Sequence, residues 1–290
     1  MPNARLATIH AAQHTTRELR VLFGRLGTEE HPRGAVKVAY ANAKRALRDV
    51  LGRYAGRGVL ALGEAREVLV GLRQSVEQAA RENLAAAEAL GQRQAMREAE
   101  AWGLTLVDVP SRLDVALRGM MSPVDAQIDF ALTTIALEVD PALIIGDDTR
   151  EGALRSSEVT KRGNGLLAAM AILTMAGMLW PGIERAERPW SEQAIAGIDE
   201  RTTDCCLQVH GQIIPMNGLF RLTGTPRYAD EMEWTPFHDH CRTSIVTVPT
   251  ELSEDELTAQ MRDAARAELQ AREETGERVE IHPAHARSRR

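Results

Sequence analysis

The sequence predicts a mainly α-helical chain with a small C-terminal β-containing module, an α+β arrangement of a long helical arm followed by a compact unit. Three observations lead there. Aromatic residues are 4% of the 290 residues, while Ala, Leu, Arg and Glu are abundant, a helix-forming bias. Between Val59 and Trp102 the apolar residues keep a seven-residue register. Past Trp190 the pattern changes to short β-prone stretches punctuated by Gly and Pro. Four segments are therefore expected: a helical arm over 1–140, a helical region with a buried apolar helix over 141–196, a β module with a Cys/His cluster over 197–250, and a final helix and tail over 251–290.

Helices are expected first at Thr15–Leu26 and Ala35–Tyr54, separated by the breaker-rich run from Gly27 to Gly34. In the second, Val36, Tyr40, Ala43, Leu47 and Leu51 recur at helical spacing, with Lys37, Lys44, Arg45 and Arg48 on the other faces. Residues 1–58 hold eleven Lys/Arg against four Asp/Glu, a local balance of +7 in a chain whose net charge is −6. That overall charge argues against a wholly basic nucleic-acid coat, and the basic start suits phosphate or an acidic partner as well as a solvated face.

The long third segment places Leu62, Leu69, Val76, Asn83 and Leu90 at one heptad position and Ala65, Leu72, Ala79 and Ala86 at the other. Such a seam needs a covering helix, supplied by an intramolecular hairpin or by another subunit; Leu62, Leu69, Leu72, Val76 and Leu90 are the candidate partner-binding residues. Ser122-Pro123 reads as a cap and first turn for a helix over Val124–Leu137, ended by Pro141. Gly146 to Thr149 reads as a loop before a helical region that stops near Trp180-Pro181-Gly182. Within it, the almost uncharged sixteen-residue stretch Gly165–Trp180 falls short of a membrane span of about twenty, so a core helix and no membrane contact are expected.

Strand-like stretches follow at Leu207 and Val209, at Ile213 and Ile214, at Phe220 and Leu222, and at Ile245, Val246 and Val248. Ser253 with Glu256 forms a capping box for a last helix whose apolar face is Leu257, Met261, Ala265 and Leu269. The final fifteen residues carry no apolar period and are expected to be an extended tail.

Three cysteines, two of them adjacent, make no secreted disulfide framework, and the first residues lack a charged-then-apolar leader, so a reducing cytoplasmic setting is expected. Phosphate-cradling loops, dinucleotide fingerprints, HExxH and GxSxG motifs are absent from the sequence. What stands out is a cluster: all three cysteines and three of eight histidines fall within 37 residues, from Cys205 to Cys241. Cys206, His238 and Cys241 can supply three ligands to a structural zinc, with His210, Cys205 or His240 as the fourth. In the competing arrangement the thiols pack as small buried hydrophobes without metal. Asp199, Thr202, Arg201 and Arg242 are expected to form a polar network tying the two turns together.

Residues Asp199, Arg201, Thr202 and Cys206, then His210-Gly211, then Pro236, His238, Cys241 and Arg242 follow in order. This order resembles the C-terminal module of the Mu F-like minor head proteins, a family of phage head morphogenesis proteins. Its pattern is a D-x-R-T-C-x-x-C stretch, an H-G or D-G turn and a closing P-x-H-x-x-C-R-C. Thr203 and Thr243 stand where the family has two further cysteines. The resemblance covers about a fifth of the chain. It implies a non-enzymatic minor structural protein of a tailed-phage or prophage head, in the head interior or portal region of the virion and in the host cytoplasm during assembly. The partners implied are the portal or other head proteins, and packaged DNA through the basic N-terminal segment. The alternative class is a metal-dependent nuclease, or a toxin carrying the same module, with His238, His240 and Asp239 on a divalent ion and His210 as base.

Overall fold

The computed structural model describes residues 2–27, 33–54, 58–137, 154–186, 188–199, 202–238, 241, 243–252 and 255–276. Among the described residues five helices come first: α1 (Pro2–Leu26), α2 (Ala35–Tyr54), α3 (Gly58–Trp102), α4 (Leu113–Ala136) and α5 (Ser156–Glu184). Then follow β1 (Trp190–Ile195), α6 (Asp204–Val209), β2 (Ile213–Pro215), β3 (Phe220–Arg221), β4 (Glu231–Met232), β5 (Ser244–Pro249), a 3-10 turn (Thr250–Leu252) and α7 (Glu256–Thr275). The fold is mainly α with a few antiparallel strands near the C-terminus.

Contacts group the chain into two units, one of residues 1–20, 87–111 and 168–290, the other of residues 21–86 and 112–167. These divisions fall elsewhere than the sequence boundaries at 140, 196 and 250, because helix packing gathers separate stretches whereas composition changes only along the chain.

The second unit is helical. Its α2 buries Val36, Ala39, Tyr40, Ala43, Leu47 and Val50, so Val50 takes the place expected of Leu51, which is half-buried. The Tyr40 hydroxyl donates to Gln127 of α4 at 2.7 Å, and Arg73 of α3 bonds Asp125 of α4 at 2.8 Å. Ala65, Leu69, Leu72, Val76, Ala79 and Asn83 are buried, and Asn83 donates its amide to the Ala79 carbonyl one turn back. Leu90, in the other unit, is also buried. The seam is thus covered within the chain, and of the five candidate partner-binding residues only Leu62 is even half-buried rather than buried.

Two prolines lie inside helices where the sequence suggested boundaries. Pro123 sits in the middle of α4, not at its start, because Leu117, Met120 and Met121 before it and Val124 after it are all buried; their packing offsets the lost backbone bond. Likewise α5 runs through Pro181 to Glu184, where the Trp180 indole donates to Glu184. At 29 residues α5 exceeds its apolar stretch, and by length and composition alone it could cross a membrane; 61% of its apolar window is buried within the chain, as in a core helix.

In the first unit β1 is the central strand of an antiparallel sheet ordered β2-β1-β5, with Gln193 opposite both Ile213 and Val246 and Glu192 opposite Thr247. This strand lies upstream of the module boundary expected at 197. All six residues of β1 and of β5 are buried, since the sheet is covered on both faces. One cluster joins Ala194 and Ile245 to Cys205, Cys206, Phe220, Phe237 and Cys241; another joins Ile195, Val246 and Val248 to Ile9 and Ala12 of α1. Leu207 and Val209 belong to α6 rather than to a strand. A separate ribbon pairs Phe220 with Met232 and Arg221 with Glu231.

The N-cap of α7 is Asp255, whose carboxylate accepts from Thr258 N at 2.9 Å, and its C-cap is Gly276 in the left-handed region at φ 71°. Ser253 of the expected capping box, the loop 146–149 and residues 277–290 of the tail lie outside the described residues.

Candidate metal centre

The first turn of α6 carries the sequence Thr203-Asp204-Cys205-Cys206. Thr203 occupies the N-cap position with extended backbone, yet its hydroxyl makes no capping bond. It faces His238 Nε2 at 3.0 Å and Cys205 Sγ at 3.4 Å instead. Leu207 N bonds the Thr203 carbonyl at 3.0 Å and starts the helix. Successive helical residues are about 100° apart, so Cys205 and Cys206 both turn into the core without pointing the same way.

The second half of the cluster comes from the segment leading into β5. Cys241 N bonds the His238 carbonyl at 3.2 Å, which holds these two residues near each other. Phe237, next to His238, meets Phe220 edge-on with ring centroids 5.7 Å apart and walls the cluster with hydrocarbon.

At the centre, Cys206 Sγ lies 3.0 Å from His238 Nε2 and 3.8 Å from Cys241 Sγ. The ligand atoms of Cys205, Cys206 and His238 all fall within 4.8 Å of one another, and all three cysteines are free thiols. Cys205 also donates to the Pro226 carbonyl at 2.6 Å. Burial alone would pull the His238 imidazole down, but the Cys241 and Cys206 sulfurs outweigh it and push its pKa up to about 11. Burial, and then the Cys206 sulfur, push the Cys241 thiol up, whereas the bond from Cys206 draws Cys205 down.

His210, one of the four sequence candidates, is engaged elsewhere. Its Nδ1 accepts from Ala196 N at 2.9 Å, and burial depresses its pKa to about 4, so the ring is a neutral structural acceptor. The Gly211 that follows, at φ 75°, packs against Met261 and Arg262 of α7, where an added Cβ would come within 3.2 Å of Met261 Cβ. Cys205 rather than His210 lies with Cys206 and His238 in the group within 4.8 Å, and Cys241 joins it through its 3.8 Å approach to Cys206.

Of the expected polar network, Asp199 and Thr202 lie among the described residues, and Arg272 joins them. Thr202 N bonds the Asp199 carbonyl at 3.0 Å, and its hydroxyl donates to the Gly197 carbonyl and to Asp199 Oδ1 at 2.7 and 3.1 Å. Arg201 and Arg242 lie outside the described residues, as do Asp239 and His240. Arg272 of α7 reaches the same turn, donating to the Thr202 carbonyl at 2.6 Å, the Asp199 carbonyl at 2.9 Å and Asp204 Oδ1 at 3.4 Å. Its Nε bonds Glu268 at 2.8 Å. Sequence reasoning passed over Arg272, although a signal was there: it falls seven residues after Ala265 on the apolar face of the last helix.

No family model, curated protein or solved structure matches the chain.

Proposed function

We propose that this chain is a minor structural protein of a tailed-phage or prophage head, associated with the portal or capsid interior and acting in head morphogenesis or genome packaging and delivery. The observation that carries the reading is the ordered residue pattern from Asp199 to Arg242, which follows the Mu F-like module in order and in residue type except at Thr203 and Thr243, where the family has cysteine. The spatial grouping supports it: Thr202, Cys206, His238 and Cys241 belong to one compact region, and they are buried there, which suits a structural role better than a catalytic one. His210, the base of the alternative nuclease, is buried as well. The heptad seam is occupied within the chain, so contacts with a portal or head protein use the outer faces of the helices. On α2 these include the exposed Arg45 and Arg48, which suit acidic protein or DNA.

The test is mass spectrometry of particles purified after induction of the strain that carries the gene, with the yield of filled heads from a deletion strain as second readout. Peptides of this chain in the particles and a fall in filled heads are expected. Particles free of the chain, together with an unchanged head yield, would overturn the reading.

A further inference from the structure

We propose that Cys205, Cys206, His238 and Cys241 form a Cys3His structural zinc site that clasps α6 to the segment leading into β5, and that His210 takes no part in it. The proposal stands on the geometry of the cluster and is independent of any role in a phage head.

Two thiolates on a tetrahedral zinc, each at about 2.3 Å from the ion, are about 3.8 Å apart. The Cys206 and Cys241 sulfurs are 3.8 Å apart. A disulfide needs about 2.05 Å, so this pair is far too wide for a bond and has the spacing of two ligands on one ion. A thiolate and an imidazole nitrogen on the same ion would sit about 3.6 Å apart. Cys206 Sγ and His238 Nε2 are 3.0 Å apart, so the ion requires an opening of about half an ångström, within reach of side-chain rotation. Cys205 Sγ lies within 4.8 Å of Cys206 Sγ and of the His238 ring nitrogen; Cys241 Sγ stands outside that group of three, beside Cys206, and the ion draws it in.

The chemistry of the donor set agrees. Three sulfurs and one imidazole are soft ligands, and in a tetrahedral arrangement they select zinc over hard cations such as magnesium or calcium. All four side chains are buried, and the surrounding wall of Phe220, Phe237, Ala194 and Ile245 keeps water from the ion. A full set of protein ligands with no open position makes a structural site rather than a catalytic one. On binding, the thiols and the imidazole lose their protons to solvent, Cys205 exchanges its bond to the Pro226 carbonyl for the ion, and Thr203 gives up His238 Nε2. The ligands come in two pairs some 35 residues apart, Cys205 with Cys206 and His238 with Cys241. Between them lie strands of only two or three residues, too short to hold the loops by ladder bonds alone.

The test uses the full-length chain purified without chelator from zinc-supplemented medium. Elemental analysis is expected to find about one equivalent of zinc, retained in H210Q and lost in C206S. Because C206S can fail for want of folding, cobalt(II) titration of the stripped wild-type chain is the second measurement. Visible bands of a tetrahedral site and a sulfur-to-cobalt charge-transfer band are expected, the latter weaker by about a third in C205S, with affinity down at least about tenfold. Less than about a tenth of an equivalent of zinc with no charge-transfer band would overturn the site. Unchanged cobalt spectrum and affinity in C205S, or loss of metal in H210Q, would overturn the ligand set.

Discussion

The Glu98 carboxylate accepts a hydrogen bond from the backbone N–H of Thr247 at 3.2 Å, and so takes the place of a missing strand. Among the described residues β5 is an edge of the sheet, and Thr247 N points away from β1. One turn earlier on α3, Gln94 donates to the Ile245 carbonyl at 3.1 Å and to Glu98 at 2.8 Å. Two helical side chains thus satisfy a donor and an acceptor of an open edge, which both pairs buried backbone groups and closes the edge to other chains.

Truncation at Glu98 should therefore be costly. E98A leaves the Thr247 N–H buried without a partner and is expected to lower stability by about 1–3 kcal/mol, while E98Q, which keeps one acceptor, should cost less. Chemical denaturation of the two variants beside wild type reads the difference.

Burial raises Glu98 from an ordinary 4.5 to about 7. Burial and then the charge of Glu233 raise Glu192, opposite Thr247, to about 8, and among the described residues Glu192 Oε2 has no hydrogen-bond partner. Both groups hold their proton longer folded than unfolded. Their contribution is complete below the unfolded pKa and is lost as pH rises through the folded values, from about 4.5 to about 7 for Glu98 and about 8 for Glu192. The stability of E98Q/E192Q relative to wild type should therefore rise over that window; an unchanged difference would mean that neither group titrates late.

Arg272 of α7 bonds the Asp199 and Thr202 carbonyls across some seventy residues of sequence. R272M removes its bonds to two carbonyls and to Asp204 and Glu268, and is expected to cost about 2–3 kcal/mol. Hydrogen exchange should show faster amides in 202–209, with the α2 amides unaffected.

The heptad seam gives a test with opposite arms. L69A, at a fully buried position, is expected to destabilise the chain by about 2–5 kcal/mol, whereas L60A, at a residue 60% exposed, should change stability little. Equal and negligible effects would mean that the seam is open to a partner after all.

Two glycines of α3 separate propensity from packing. At Gly91 an added Cβ would lie 2.1 Å from the Ala171 carbonyl oxygen of α5, while at Gly71 it would meet nothing within 4 Å. G71A should stabilise by about 0.5–1 kcal/mol and G91A should destabilise, as read from the two melting temperatures.

What the sequence determined by itself was local. The bounds of α2 match those read from the apolar period and the breakers before it, and α3 begins within one residue of expectation, because such signals act over a few neighbouring residues. The gathering of Cys206, His238 and Cys241 was also legible, from residue type and density. Tertiary structure decided the remainder. Burial on both sides carried α4 and α5 through Pro123 and Pro181, and the seam around Leu69 and Val76 found its cover inside the chain. His210 went to the Ala196 N–H and Cys205 to the thiol cluster, while Arg272 reached back some seventy residues to the Thr202 turn. Each of these outcomes depends on which buried polar or apolar group meets which partner across long sequence separations. That pairing is set by packing and by the cost of leaving a buried donor or acceptor unmatched, neither of which a local pattern records.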